Sequence, residues 1–437
     1  MPVRTRIGRA AAAAACALAL ALGAVGCSSD TAVPGLASLA PSAHLPNDTQ
    51  KQLQSAVDNA LSATGASGAI VGVWVPWSGS WVTGVGTVAP GSKTPVDADM
   101  TFRAGPVTRA MTCDALYELA AAGTVHLDDP ITDYIGGMPK YSDITLHELC
   151  DGTSGLGSYG AMLSGQSLST PNRQWDAREL VGYGVGQVNG DVAPGNAYRD
   201  SDAGYVLLGL ALERASGQTA QQLLQQRVFG PLGLSRTTLP GATAAEPTVD
   251  GSTPLRGFYF LKKESGSYAC DKPVEITEQS ASYGFTDSGV VTDIRDLAVY
   301  ARALASGALV KDKNRFAQAL PATANAPSWF TTRGGAVQAG PLIGEYGSTR
   351  GYLTAAFSDP DSGLTVAVVL NNSSAGRNAI VDLARELAAI AASTPATSGK
   401  QAAAVGLPWT AAQFHDAISG SATCPPATTA TKAPAKK

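Results

Sequence analysis

The sequence predicts an α+β fold, an antiparallel sheet flanked by helices with a mainly helical second lobe. Two hairpins far apart in the chain carry that reading. Ala69–Val75 and Trp81–Val88 are rich in β-branched and aromatic residues and are joined by a turn at Pro76–Gly79. Tyr352–Phe357 and Leu364–Leu370 repeat the arrangement around Asp359 and Pro360, the last run being continuously apolar as a buried strand requires. Segments with apolar residues at helical spacing flank both hairpins and occupy the chain between them, so two layers, sheet against helix, follow.

The first residues read as a targeting signal. Arg4, Arg6 and Arg9 precede Ala10–Ala24, an apolar run too short for a comfortable membrane span, so residues 1–26 are expected to be a secretory signal peptide. Ala24-Val25-Gly26-Cys27 resembles a bacterial lipobox with Ala24 where Leu is usual, which implies lipidation of Cys27 and anchoring to the outer face of the cell membrane. An ordinary signal peptide with an incidental cysteine is the alternative. Residues 27–46 lack apolar periodicity and read as a flexible tether. The domain is expected over 47–395, with a helical insertion at roughly 130–275. A partly disordered extension over 396–437 ends in the Pro- and Lys-rich stretch from Cys424.

The chain carries 31 basic and 35 acidic side chains. Removing the three leader arginines leaves 28 against 35, a formal charge of −7 that argues against a nucleic-acid partner. Its four histidines, His44, His126, His147 and His415, have no ligand spacing, so neither a metal site nor a cofactor is expected. Apart from Cys16 in the leader and Cys27, four cysteines remain for an oxidising compartment: Cys113, Cys150, Cys270 and Cys424. They allow three pairings, and buried free thiols are a further reading.

Taken in order, Asn47 or Asp48 can cap a helix through Leu61 that ends near Gly65, with Leu53, Val57 and Ala60 on one face. After the first hairpin, a turn at Gly105 and Pro106 opens an apolar helix containing Met111, Leu116 and Leu119, with Pro106 at its first position and Gly123 at its end. Ile144–Leu156 is a helix closing in a Gly-containing turn. Tyr205–Ala215, Ala220–Val228 and Leu297–Leu304 supply further helices, and a final helix from Asn378 to Ala392 packs on the sheet.

Several of these segments resemble motifs of the serine β-lactamases and penicillin-binding DD-peptidases. Phe102-Arg103-Ala104-Gly105-Pro106-Val107-Thr108-Arg109 resembles the F-R-x-G-S-x-x-K of the nucleophile helix, followed by the acidic loop Leu127-Asp128-Asp129-Pro130. Thr153-Ser154-Gly155-Leu156 matches H-T-S-G-L except that Gly152 stands for the His. Counting from Pro194-Gly195 and from Tyr205 places Asp200 and Asp202 at the Tyr and Asn of Y-x-N. Gly344-Glu345-Tyr346-Gly347 falls where the family has G-H-x-G, so Glu345 stands at the cationic position and Gly347 is kept. The resemblance spans most of Asp48–Ala392 and implies a β-lactamase/transpeptidase-like fold. It also implies that Cys113 pairs with Cys150, on helices the family packs together, which leaves Cys270 with Cys424.

The family's chemistry needs a Ser nucleophile, a Lys one turn later and the Y-x-N hydroxyl to move its proton. Pro106 has neither a hydroxyl nor the backbone N–H that the family aims at the oxyanion. Arg109 stays protonated at any working pH, Asp200 lacks a phenol, and Glu345 is expected to repel a substrate carboxylate. Thr108 faces away from Pro106, because each helical residue turns by about 100 degrees. Ser201 is expected to point out of the cleft and Ser154 lies in a turn. Arg109 is expected among Asp200, Asp202 and Glu345 in a buried ion-pair network, with a cation or amine site as the sharper version. The expectation is therefore a surface lipoprotein with an inactive domain that binds a cell-wall peptide or protein partner. An active esterase or peptidase with a displaced nucleophile, and a structural envelope lipoprotein, are the alternatives.

Overall fold

A computed structural model describes Leu39, residues 43–187 and residues 193–424. The leader, Cys27, most of the tether and the tail after Cys424 lie outside the described residues. Helix α1, Asn47–Thr64, starts behind Pro46 rather than behind an Asn47 or Asp48 cap. It ends at Gly65, whose left-handed backbone (φ 72°) returns its N–H to the Leu61 carbonyl.

Strands β1 (Gly68–Val75) and β2 (Gly79–Gly86) form the first hairpin, with Val75 opposite Gly79. A two-residue strand, β3 (Phe102–Arg103), leads into α2, Val107–Ala121. The helical lobe follows as α3 (Leu146–Cys150), α4 (Ser164–Ser169), α5 (Ala177–Val185), α6 (Asp202–Ser216), α7 (Ala220–Leu224) and α8 (Gly230–Leu232). A separate ribbon of β4 (Phe258–Lys262) and β5 (Tyr268–Glu275) closes this half. The chain then returns through α9 (Phe285–Ser288), β6 (Val291–Thr292), which pairs with β3, and α10 (Ile294–Ser306). Strands β7 (Leu320–Pro321), β8 (Phe330–Arg333), β9 (Ala336–Ala339), β10 (Leu342–Thr349), β11 (Tyr352–Ser358) and β12 (Thr365–Leu370) complete the sheet. Two helices end the described chain, α11 (Arg377–Ala392) and α12 (Ala411–Gly420).

The main sheet has eight strands in the order β2-β1-β12-β11-β10-β9-β8-β7. β1, β11 and β12 are buried along their whole length. Alternation explains how: Ile70, Trp74, Ala367 and Val369 enter one core with α2 and α10, whereas Val71, Val73, Val366 and Val368 enter a second with α1 and α11. Helices therefore cover both faces, and the two-layer expectation becomes three layers. The middle strands read as continuous Val-rich runs because neither face meets water.

Cys113 of α2 is bonded to Cys150 of α3, and Cys270 of β5 to Cys424, with Cα separations of 5.5 and 5.8 Å. The second bond holds down the C-terminal extension, in which Trp409 is buried and donates Nε1–H to the Arg385 carbonyl at 3.0 Å. A Thr410–Gln413 capping box then starts α12, which packs on α11 and α1. Cys424→Ser is expected to lower stability by about 2–4 kcal/mol, because the bond closes a long loop of the unfolded chain. A urea titration of the variant against the parent measures this.

Candidate functional site

The N-terminal turn of α2 meets β10 of the sheet and the loop ahead of α6. Pro106, Arg109, Asp200, Asp202, Glu345 and Gly347 consequently line one cleft of about 400 Å³, although they lie far apart in sequence. Tyr159, Tyr198, Tyr283, Asp287, Arg350 and Arg377 share its walls, and its described lining includes no Lys, His or Cys.

The replacements fit one another sterically. Pro106 is the N-cap of α2, one position earlier than expected, and its ring lies against Gly347. A Cβ added at Gly347 would stand 2.3 Å from Pro106 Cγ. At Gly152, where φ is +68°, an added Cβ would stand 2.7 Å from Tyr198 Cε2. The place that the resemblance assigns to a His is thus occupied by a tyrosine ring from another loop. These contacts are close-packed, as in an ordinary protein interior.

Arg109 is buried and paired with two carboxyl groups. Its Nε–H donates to Asp287 Oδ1 and an Nη1–H to Asp200 Oδ1, each at 2.7 Å. Its guanidinium carbon lies 4.8 Å from the centre of the Tyr205 ring. Arg377 donates to the other oxygen of Asp200. The expected network therefore forms with different members: Asp287 and Arg377, which the sequence reading missed, take the places given to Asp202 and Glu345. Asp202 instead accepts backbone N–H bonds from Tyr159 at 2.7 Å and Gly160 at 2.8 Å. Glu345 Oε1 accepts from the N–H of Tyr346 at 2.8 Å. Asp287 follows Phe285, a non-glycine residue at φ 37°, so its approach to Arg109 uses an uncommon backbone conformation.

Burial and charge divide the carboxyl groups. At Asp200 burial raises the pKa, but Arg109 and Arg377 outweigh it and hold the group below the usual carboxylate range. At Asp287 burial prevails over Arg109 and the pKa is raised. Burial, reinforced by the charge of Asp287, pushes Asp202 up to about 7. Glu345, 8% exposed, is pushed by burial up to about 8. At neutral pH Glu345 is mostly uncharged, so the expected repulsion of a ligand carboxylate applies only in alkaline solution.

The alternative nucleophiles are all engaged elsewhere. Thr108 is sealed, with Oγ1 accepting from the Val290 N–H at 3.2 Å. Ser201 caps α6, accepting from Gly204 N–H at 3.0 Å and donating to the Gly157 carbonyl at 2.8 Å. Ser154 is buried beside the Leu156 N–H. Among the Ser and Thr residues that line the cleft, Ser158 donates to the Asp200 carbonyl at 3.1 Å and Ser373 accepts from the Gly351 N–H at 3.1 Å, whereas the Ser348 hydroxyl makes no hydrogen bond among the described residues.

A mixed sheet-and-helix scaffold with three motifs converging on the start of one helix defines the serine β-lactamase and transpeptidase class. The sequence profile described as Beta-lactamase matches residues 53–391, and the chain belongs to that family. Among curated proteins, D-alanyl-D-alanine-carboxypeptidase/endopeptidase AmpH of Escherichia coli (strain K12) is 31% identical over 158 residues, 35% of this chain and 40% of that protein. A D-aminopeptidase of Cereibacter sphaeroides is 25% identical, covering 63% of this chain and 51% of its own. The chain thus spans between two fifths and about half of these relatives. Solved structures repeat the fold. A D-stereospecific amidohydrolase from a Streptomyces species matches with a TM-score of 0.63 at 23% identity, over 74% of this chain and 94% of that one. A penicillin-binding protein homologue from Pyrococcus abyssi matches with a TM-score of 0.61 at 20% identity, over 77% and 75%.

Proposed function

We propose that this protein is an exported lipoprotein, anchored through Cys27, whose β-lactamase-like domain binds a ligand in the cell envelope without acylating itself on it. The observation that carries this reading is the packing of the Pro106 ring on Gly347, at the position where the family places its nucleophile. The engagement of Arg109 with Asp200 and Asp287 supports it, since a guanidinium paired with two carboxylates stays protonated and cannot serve as a base. Relatives named for D-alanyl-D-alanine carboxypeptidase and D-aminopeptidase activity make a cell-wall peptide the leading ligand class.

Incubation of the soluble domain with a fluorescent penicillin and a fluorophosphonate, followed by intact-mass measurement, is expected to give no adduct. An adduct lost on changing Ser158, Thr108, Ser154 or Ser201 to Ala would establish a displaced nucleophile instead.

A further inference from the structure

We propose that the cleft receives a primary ammonium group of its ligand, held by Oε2 of Glu345. This deepens the binding reading and rests on it. Glu345 is more than nine-tenths buried yet lines the cleft. Its Oε1 is taken by the Tyr346 N–H, whereas Oε2 has no hydrogen bond and no cation within 4 Å among the described residues. Of the three arginines on the cleft walls, Arg109 and Arg377 are committed to Asp200 and Asp287, and Arg350 donates to the Tyr283 hydroxyl at 3.0 Å. An unpartnered oxygen of a largely buried carboxyl group in a cleft wall is an acceptor open to a donor from a ligand.

An ammonium ion suits this place better than a metal. It brings one charge and three donors. Tyr198 lines the same cleft, and its hydroxyl makes no hydrogen bond among the described residues. A hard divalent ion asks for about six or more oxygen ligands. Here both oxygens of Asp200 face arginines and both oxygens of Asp202 face backbone N–H groups. No cluster of three metal-binding side chains occurs among the described residues.

The charged and titratable groups facing Glu345 are Arg109, Asp200, Arg377 and the tyrosines Tyr198, Tyr205, Tyr300 and Tyr346. Burial keeps those tyrosines neutral, and the two arginines keep Asp200 ionised. Glu345 is therefore the group of this set that changes charge between pH 6 and 9, around its value of about 8. Below that value a bound ammonium must displace a proton, so affinity rises with pH by about tenfold per unit and levels off above about 8.

The test is calorimetric titration of the soluble domain from pH 6 to 9 with N-acetyl-lysinamide, whose amine stays charged because its pKa lies near about 10.4. Alaninamide at pH 7 separates an α-ammonium from a side-chain one. N-acetyl-norleucinamide and N-acetyl-alanine supply the neutral and the anionic comparison. The expected result is binding of an ammonium probe with proton release at pH 7 and the rising pH profile. Glu345→Gln is expected to flatten that profile and weaken binding at least tenfold at pH 8.5, while Asp202→Asn keeps the slope. Preferential binding of N-acetyl-alanine would overturn the proposal in favour of a neutral Glu345 donating to an anion. Equal binding of the norleucine probe, or no binding of any probe, would overturn it too. Turnover or a mass adduct would sink the non-catalytic reading separately and leave the ammonium comparison readable.

Discussion

Arg109→Met is expected to lower the stability of the domain by about 3–5 kcal/mol, the range for removing one partner of a buried ion pair. The side chains of Arg109 and Asp287 are 9% and 7% exposed, so neither is compensated by water once the other is gone. Asp200 keeps Arg377, but Asp287 has no second cation among the described residues. Its carboxyl, already raised by burial against the pull of Arg109, would move further up without it. The sign of the pH dependence follows. A carboxyl that holds its proton in the folded state but loses it on unfolding makes stability fall as pH rises, so the deficit is smaller near pH 5 than near pH 8. Urea titrations at the two pH values measure both quantities. Unchanged or raised stability would mean that the network's desolvation cost equals or exceeds its attraction, and would remove the argument that Arg109 is structural.

Gly347→Ala should cost about 1–3 kcal/mol, because the new methyl is forced against the ring of Pro106 in a packed region. Glycine is required there by close approach, since β10 passes the N-terminus of α2 with no space for a side chain. The double variant Pro106→Ala/Gly347→Ala should recover part of the loss, giving a coupling of about 0.5–3 kcal/mol in a double-mutant cycle. Additive effects would show that the two positions do not form one packing unit, and the account of the altered nucleophile position would lose its main support.

Much of the site was legible because the motifs sit at preserved distances from strong local signals. Pro194-Gly195 and Tyr205 bracket Asp200 and Asp202, and the Gly105-Pro106 turn marks the start of α2. Asp287 and Arg377 were invisible for a different reason. Each is a single charge within a helix, Asp287 in α9 and Arg377 at the start of α11, and nothing local marks it as a partner of Arg109 or Asp200. The ribbon β4–β5 was missed because Phe258–Lys262 and Tyr268–Glu275 mix charged residues and a proline into strands that are only partly buried. Helix α12 was missed because its short amphipathic pattern stands in a Pro- and Ala-rich stretch.

By itself, the sequence determined the two distant hairpins, the helices that cover them and the loss of the hydroxyl and amine from the positions where the family keeps them. Those are properties of side-chain type and period, which local pattern carries. Only the tertiary structure decided which carboxyls Arg109 meets, that Gly347 and Gly152 yield their space to Pro106 and Tyr198, and that Glu345 is left buried with a free oxygen. Burial and pairing depend on what the rest of the chain brings within a few ångströms, and no spacing along the chain encodes that.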